Sequence, residues 1–97
     1  MNESNIGSVV EEATLGPNES FIMGNGMEFR RIGNTQNVRY FPLSGFRCEH
    51  SFAAQPGEGS YIRLGGVRLG NVRLSEYGLS LIYDDNSVKV KVETKGL

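Results

Sequence analysis

The chain has one cysteine, Cys48, one histidine, His50, three prolines and no tryptophan in 97 residues. A single cysteine excludes an intrachain disulfide and suits a reducing compartment. Cys48 and His50 together supply only half of the four ligands a zinc site normally needs, so no metal site is expected within one chain. No stretch approaches the roughly 18 consecutive apolar residues of a membrane-spanning helix, and no membrane partner is expected. The opening MNESNIGSVV has neither the positive start nor the apolar core of a secretory signal, so use in the cytoplasm or in an assembled particle is the expectation. On that expectation the sequons at Asn2 and Asn18, each Asn-Glu-Ser, are coincidental.

Chemistry-bearing motifs are also missing. The P-loop pattern, GxGxxG, HExxH, GxSxG and the EF-hand loop do not occur. Gly57-Glu58-Gly59-Ser60 lacks the lysine that a phosphate cradle would carry, and it is expected to be a turn. Asp84 and Asp85 fall in a turn and Glu11 and Glu12 in an acidic stretch, so no carboxylates are paired for general acid and base work. The expectation is a non-enzymatic protein with no cofactor and no small-molecule substrate.

What remains is enough for one core. Hydrophobic residues at 38% and charged residues at 22% are too apolar for a disordered chain, and 97 residues are too few for two independent domains. The net charge of −1 conceals a division along the chain. Residues 1–28 hold five Glu and no Lys or Arg, a net −5. Residues 29–75 hold seven Arg against two Glu, a net +5, and residues 76–97 hold three Lys against four acids, a net −1. Such segments can pair within one molecule, between copies or with a foreign partner.

Thirteen glycines at short intervals and β-branched or aromatic runs of four to eight residues predict many short strands. Asn25-Gly26 between Phe21–Gly24 and Met27–Ile32 predicts a hairpin with a type I′ turn. A second hairpin turns at Asp84-Asp85-Asn86. Its last strand alternates Val88, Val90 and Val92 with Lys89, Lys91 and Glu93, the pattern of a half-buried antiparallel strand. Further strands are expected near 37–43, 46–53, 60–64 and 67–74, the last broken at Gly70-Asn71, with Pro42 at an edge or bulge. In the 46–53 strand Cys48 and His50 share a face with Phe46 and Phe52, which predicts a buried thiol and a core histidine. Residues 1–19 form an acidic arm or, from the capping-box form of Ser8-Val9-Val10-Glu11, a short helix ended by Gly16-Pro17, and 20–94 form the β core. The expected fold is thus a single all-β domain: a small antiparallel β-sandwich or barrel of seven to eight short strands, with one short N-terminal helix as an option.

Three triplets, Ile62-Arg63-Leu64, Val67-Arg68-Leu69 and Val72-Arg73-Leu74, each set an arginine between aliphatic residues at a spacing of five. In regular extended chain each would turn its arginine outward. Arg63, Arg68 and Arg73, with Arg39, Tyr40 and Tyr61, are therefore the candidate partner-binding residues. The leading expectation is a protein-interaction or assembly module with a rigid β surface, such as a structural accessory of a larger particle like a virion, or a small protein inhibitor. Open strands favour self-association or a protein partner. The alternative is a single-stranded nucleic-acid-binding barrel, for which Arg39-Tyr40-Phe41 and Tyr61-Ile62-Arg63 supply basic and aromatic interleaving. The acidic pI of about 5.8 and the missing tryptophan count against it.

Overall fold

The structure is a computed structural model that describes residues 8–57, 60–69 and 72–96. All regular structure among them is β, in eight strands: β1 Ser8–Leu15, β2 Ser20–Ile22, β3 Glu28–Arg31, β4 Asn37–Phe41, β5 His50–Ala53, β6 Ser60–Leu69, β7 Val72–Asp84 and β8 Ser87–Gly96. They form two antiparallel sheets of four, a large one in the order β1-β8-β7-β6 and a small one in the order β2-β3-β4-β5. The inner faces of both sheets contribute to one core, and neither sheet closes on itself.

The core follows from alternation. Val88, Val90 and Val92 are fully buried, opposite Tyr83, Leu81 and Leu79 of β7, while Lys89 points to solvent. From the small sheet, Phe29, Val38 and Tyr40 meet them, with Phe29 and Tyr40 stacked at 5.3 Å between ring centroids. Burying one such aliphatic or aromatic side chain stabilises the fold by roughly 1.5–3 kcal/mol. One polar or charged change at Val90 would therefore strike the centre of the molecule. The sheets also join at a corner, where Gln55 forms a parallel bridge to Ile82 and Tyr83 N–H donates to Gln55 C=O at 2.8 Å.

The two predicted hairpins exist, with their turn types redistributed. The two-residue turn with both residues at positive φ is Asp85-Asn86, at φ 51° and 66°, closed by the Asp84 and Ser87 pair. At Asn25-Gly26 the loop has three residues instead. Gly26 N–H donates to Met23 C=O at 2.9 Å, Met23 N–H donates to Met27 C=O at 2.8 Å, and only Gly26 is left-handed, at φ 98°. That is the three-residue hairpin in which a glycine bulge follows the turn. The Asn25 side chain braces it, with Oδ1 accepting from Met27 N–H at 3.1 Å.

Three expectations are corrected. Residues 8–15 are not a helix: β1 pairs with β8 along its length, from Ser8 opposite Thr94 to Leu15 opposite Val88, and Leu15 is in the core. A helix of two turns is marginal by itself, and the ladder along a valine-rich strand outweighs a local capping signal. The strand expected over 46–53 begins only at His50, because Pro42–Phe46 turns over the small sheet, with Gly45 at φ 89°. His50 and Phe46 are consequently exposed and Cys48 is half-buried, so none of the three is a core residue. The strand expected over 67–74 is the end of β6 and the start of β7, and the Gly70-Asn71 break lies outside the described residues, as do Asn2 and Glu58-Gly59.

Candidate interaction surface

Two charged side chains are buried, and both serve to fix loops. In Glu28-Phe29-Arg30-Arg31, alternation sends Phe29 and Arg31 inward, and Arg31 is 1% exposed. Its guanidinium donates to four acceptors: Thr35 C=O at 2.8 Å, Asn86 C=O at 3.0 Å, Leu15 C=O at 3.1 Å and Asn34 Oδ1 at 3.3 Å. It also lies 5.9 Å from the centre of the Tyr83 ring. A planar fork of five donors suits several carbonyls at once, which a lysine could not do. Arg31 therefore ties the small sheet to the end of β1 and to the β7–β8 turn.

Glu28 is 2% exposed although alternation places it on the outer face of the small sheet. The β4–β5 loop covers it: Ser44 N–H donates to Gly26 C=O at 2.7 Å and Ser44 Oγ donates to Glu28 Oε1 at 2.8 Å. Arg30 donates from Nη2 and Nε to Glu28 Oε2 at 2.9 and 3.2 Å, and its guanidinium sits 5.0 Å from the centre of the Phe41 ring. Burial pushes the Glu28 carboxyl up. The hydrogen bonds from Ser44 and Arg30, the Arg30 charge and a hydrogen bond from Ser20 together outweigh this and hold it below its ordinary value of 4.5. Glu28 is thus ionised, and it anchors the loop carrying Leu43 and Phe46.

That loop creates an apolar surface. Phe46 is 71% exposed, Ile22 of β2 55% and Leu43 49%. Ile22 and Leu43 belong to one end of one face, since Ile22 lies opposite Glu28 in register, Glu28 holds Ser44, and Leu43 comes within 3.1 Å of a Cβ built on Gly26, while Phe46 follows on the same loop, its N–H donating to Leu43 C=O at 3.1 Å. Arg39 stands on the same face, opposite Arg30 in register. Arg30 is engaged by Glu28, whereas exposed Arg39 makes no hydrogen bond or ion pair to a described residue. A cation beside exposed aromatic and aliphatic groups is the composition found at the centre of protein interfaces.

The predicted partner-binding residues are divided among different places. Tyr40 is buried against Phe29, and its hydroxyl is pushed above 10.0 by burial and by the nearby Glu49 and Tyr77. Phe41 is also buried, so neither ring of Arg39-Tyr40-Phe41 is open for base stacking. Tyr61 and Arg63 lie on the outer face of the large sheet, on the far side from Arg39. The Tyr61 ring lies across Gly78, and a Cβ there would meet its Cζ at 2.6 Å. Arg63 is exposed and 3.9 Å from Glu76. Arg68 of β6 is paired in register with Arg73 of β7, with irregularities between Leu64 and Val67 and between Val67 and Arg68. The side chains of Arg68 and Arg73 lie outside what the structure describes. The three arginines therefore do not form a regular row on one strand.

Ile22, Leu43, Phe46 and Glu28 escaped the sequence reading. Pro42-Leu43-Ser44-Gly45-Phe46 carries the overlooked signal, since it sets two large apolar residues between turn formers, where burial is hard to achieve. Among the described residues no three His, Cys, Asp or Glu side chains cluster closely enough to hold a metal ion, and no helix is long and apolar enough to cross a membrane. Cys48 is free, and its Sγ donates to His50 C=O at 3.4 Å. No family model matches the chain, and comparisons with curated proteins and with solved structures find no similar protein.

Proposed function

We propose that this domain is a non-catalytic interaction module that binds a protein partner through the outer face of the small sheet. The observation that carries the reading is the cluster of exposed Ile22, Leu43 and Phe46 beside the unengaged Arg39. Single exposed apolar residues are ordinary, but Leu43 and Phe46 on a loop pinned by a buried carboxylate, at the end of the small sheet where Ile22 stands, form a pre-organised patch. A partner of matching chemistry offers an apolar pocket for Phe46 and a carboxylate for Arg39. The two biological forms of this role, an accessory in a larger particle and a small inhibitor, differ in stoichiometry: many copies per assembly against one per target.

The test is a Leu43→Ser, Phe46→Ser double variant with an unchanged urea midpoint. The partner is isolated from cells by crosslinking to the wild type, and the affinity of the purified pair is then measured. Removing a central aromatic anchor weakens binding by 2 kcal/mol or more in typical interfaces, about thirtyfold. An unchanged affinity would remove the patch from the binding site. Micromolar, steeply salt-dependent binding of unrelated oligonucleotides by the wild type would replace the reading with a nucleic-acid one.

A further inference from the structure

We infer that copies of this chain add to one another edge to edge, β6 of one against β1 of the next, so that the large sheets run on continuously. The inference extends the reading of the domain as an interaction module to a second surface, on the other sheet. In the order β1-β8-β7-β6 both outer strands have a strand partner on one side only among the described residues. All three pairings are antiparallel, so β1 and β6 run in opposite senses. A copy moved sideways without being turned over thus brings its β1 antiparallel to the first copy's β6, with the small sheets on the same side.

The register supports the same movement. Ala13, Val90, Leu81 and Ser60 form one row across the sheet, and Glu11, Val92, Leu79 and Ile62 form another. The regular stretches of the two edges, Glu11–Leu15 and Ser60–Leu64, therefore overlap over three rows, Glu11–Ala13 level with Ser60–Ile62. The irregularities at Val9/Glu11 and Leu64/Val67 limit the contact to about this length. Faces match as well, with Leu15 and Leu64 directed to the core and Glu12 and Arg63 exposed.

Charge selects this pairing over its rivals. β1 carries Glu11 and Glu12 and no cation, whereas β6 carries Arg63 and Arg68 and no anion. Pairing β1 with β1 or β6 with β6 sets like charges together, which discourages symmetric dimers. Pairing β6 with β1 brings Arg63 opposite or diagonal to Glu12. Their present ion pairs are long, Glu12 at 3.7 Å from exposed Lys89 and Arg63 at 3.9 Å from Glu76, and pairs of this kind contribute little. Because the contact joins two different edges it does not stop at two copies, and it gives a row or a ring.

The test is a charge exchange followed by mass in solution. Wild type, Arg63→Glu, Glu12→Arg and the double variant are compared by sedimentation velocity from about 1 to several hundred micromolar at low salt, with urea midpoints to verify folding. The wild type is expected to exceed two chains of 10.7 kDa and to dissociate as salt rises. Each single variant should need at least tenfold higher concentration to assemble. An equimolar mixture of the two should recover assembly, because both junctions then join opposite charges, and so should the double variant. A wild type that stays monomeric throughout, a species that stops at two copies, single variants that assemble like the wild type, or a mixture that does not recover would each overturn the inference. The Leu43→Ser, Phe46→Ser variant should assemble normally. Failure of the patch reading thus appears as unaltered partner affinity in that variant, independently of the masses measured for the edge variants.

Discussion

Arg31 offers the sharpest test of how this fold is held together. Its guanidinium is taken out of water without an acidic partner among its hydrogen bonds, and it is satisfied by three backbone carbonyls and the Asn34 amide oxygen. Hydrogen bonds to a charged group contribute about 1.5–3 kcal/mol each after exchange with water, while desolvating the cation costs several kcal/mol. Arg31→Met keeps the aliphatic stem and leaves neutral carbonyls unpaired at Leu15, Thr35 and Asn86. Counting three bonds with incomplete additivity, the loss should be about 3–5 kcal/mol. Arg31→Ala removes further stem methylenes at about 0.8 kcal/mol each and should cost about 2 kcal/mol more. Against a total of about 5–15 kcal/mol, either change consumes much of the stability. Urea unfolding reads it directly: with a slope of about 1–1.5 kcal/mol per molar, the Met variant's midpoint should fall by at least about 2 M. Arg31→Lys should lie between wild type and Met, because one ammonium cannot span four acceptors. A Met variant as stable as the wild type would refute the reasoning, since the desolvation cost would then equal everything the bonds contribute.

Gly26→Val should lower stability by about 1–3 kcal/mol in urea, because φ is 98° and the new side chain starts 3.1 Å from Leu43 Cδ1. Glu28 has a folded value below 4.5, so its contribution is complete above that pH and is lost as pH falls through the folded value. Urea midpoints between pH 6 and pH 3 should fall more for the wild type than for Glu28→Gln, and parallel curves would contradict the assignment. Cys48 is half-buried, so native protein should react with a soluble thiol reagent at a rate within about an order of magnitude of the unfolded chain, and protection by a factor of a thousand would require a closed environment.

The parts of the fold legible in the sequence are those governed by neighbours in the chain. Val88, Val90 and Val92 announce a buried face by alternation, and the glycine of Asn25-Gly26 announces a backbone turn. Alternation in Glu28-Phe29-Arg30-Arg31 already places Arg31 with Phe29, but its carbonyl partners come from three distant segments that no local pattern joins. Ser8-Val9-Val10-Glu11 looks like a helix start only until β8 supplies a ladder. The error at Cys48 and His50 came from carrying alternation through residues that leave the sheet after Phe41. The arginine triplets look equivalent in sequence, yet Arg63 and Arg68 belong to β6 and Arg73 to β7, with two register irregularities between Leu64 and Arg68. For the surface, the opposed charges of residues 1–28 and 29–75 were visible. That β1 and β6 bound opposite edges of one sheet was not, since strand order is a property of tertiary pairing.

The pairing of β1 with β8 bears on the order in which this molecule acquires its structure during synthesis. β6, β7 and β8 form a meander whose hairpins close over short loops, so they can associate as they emerge. β1 is made long before β8, and its valines and glutamates have no ladder until that distant strand arrives. Arg31 faces the same delay, since it needs carbonyls from both Leu15 and Asn86 to complete its set of acceptors. The small sheet emerges early yet is fastened late, and the nascent chain displays unpaired strands to neighbouring ribosomes throughout that interval. The like charges of Glu11 and Glu12 disfavour pairing of an unpartnered β1 with an identical strand.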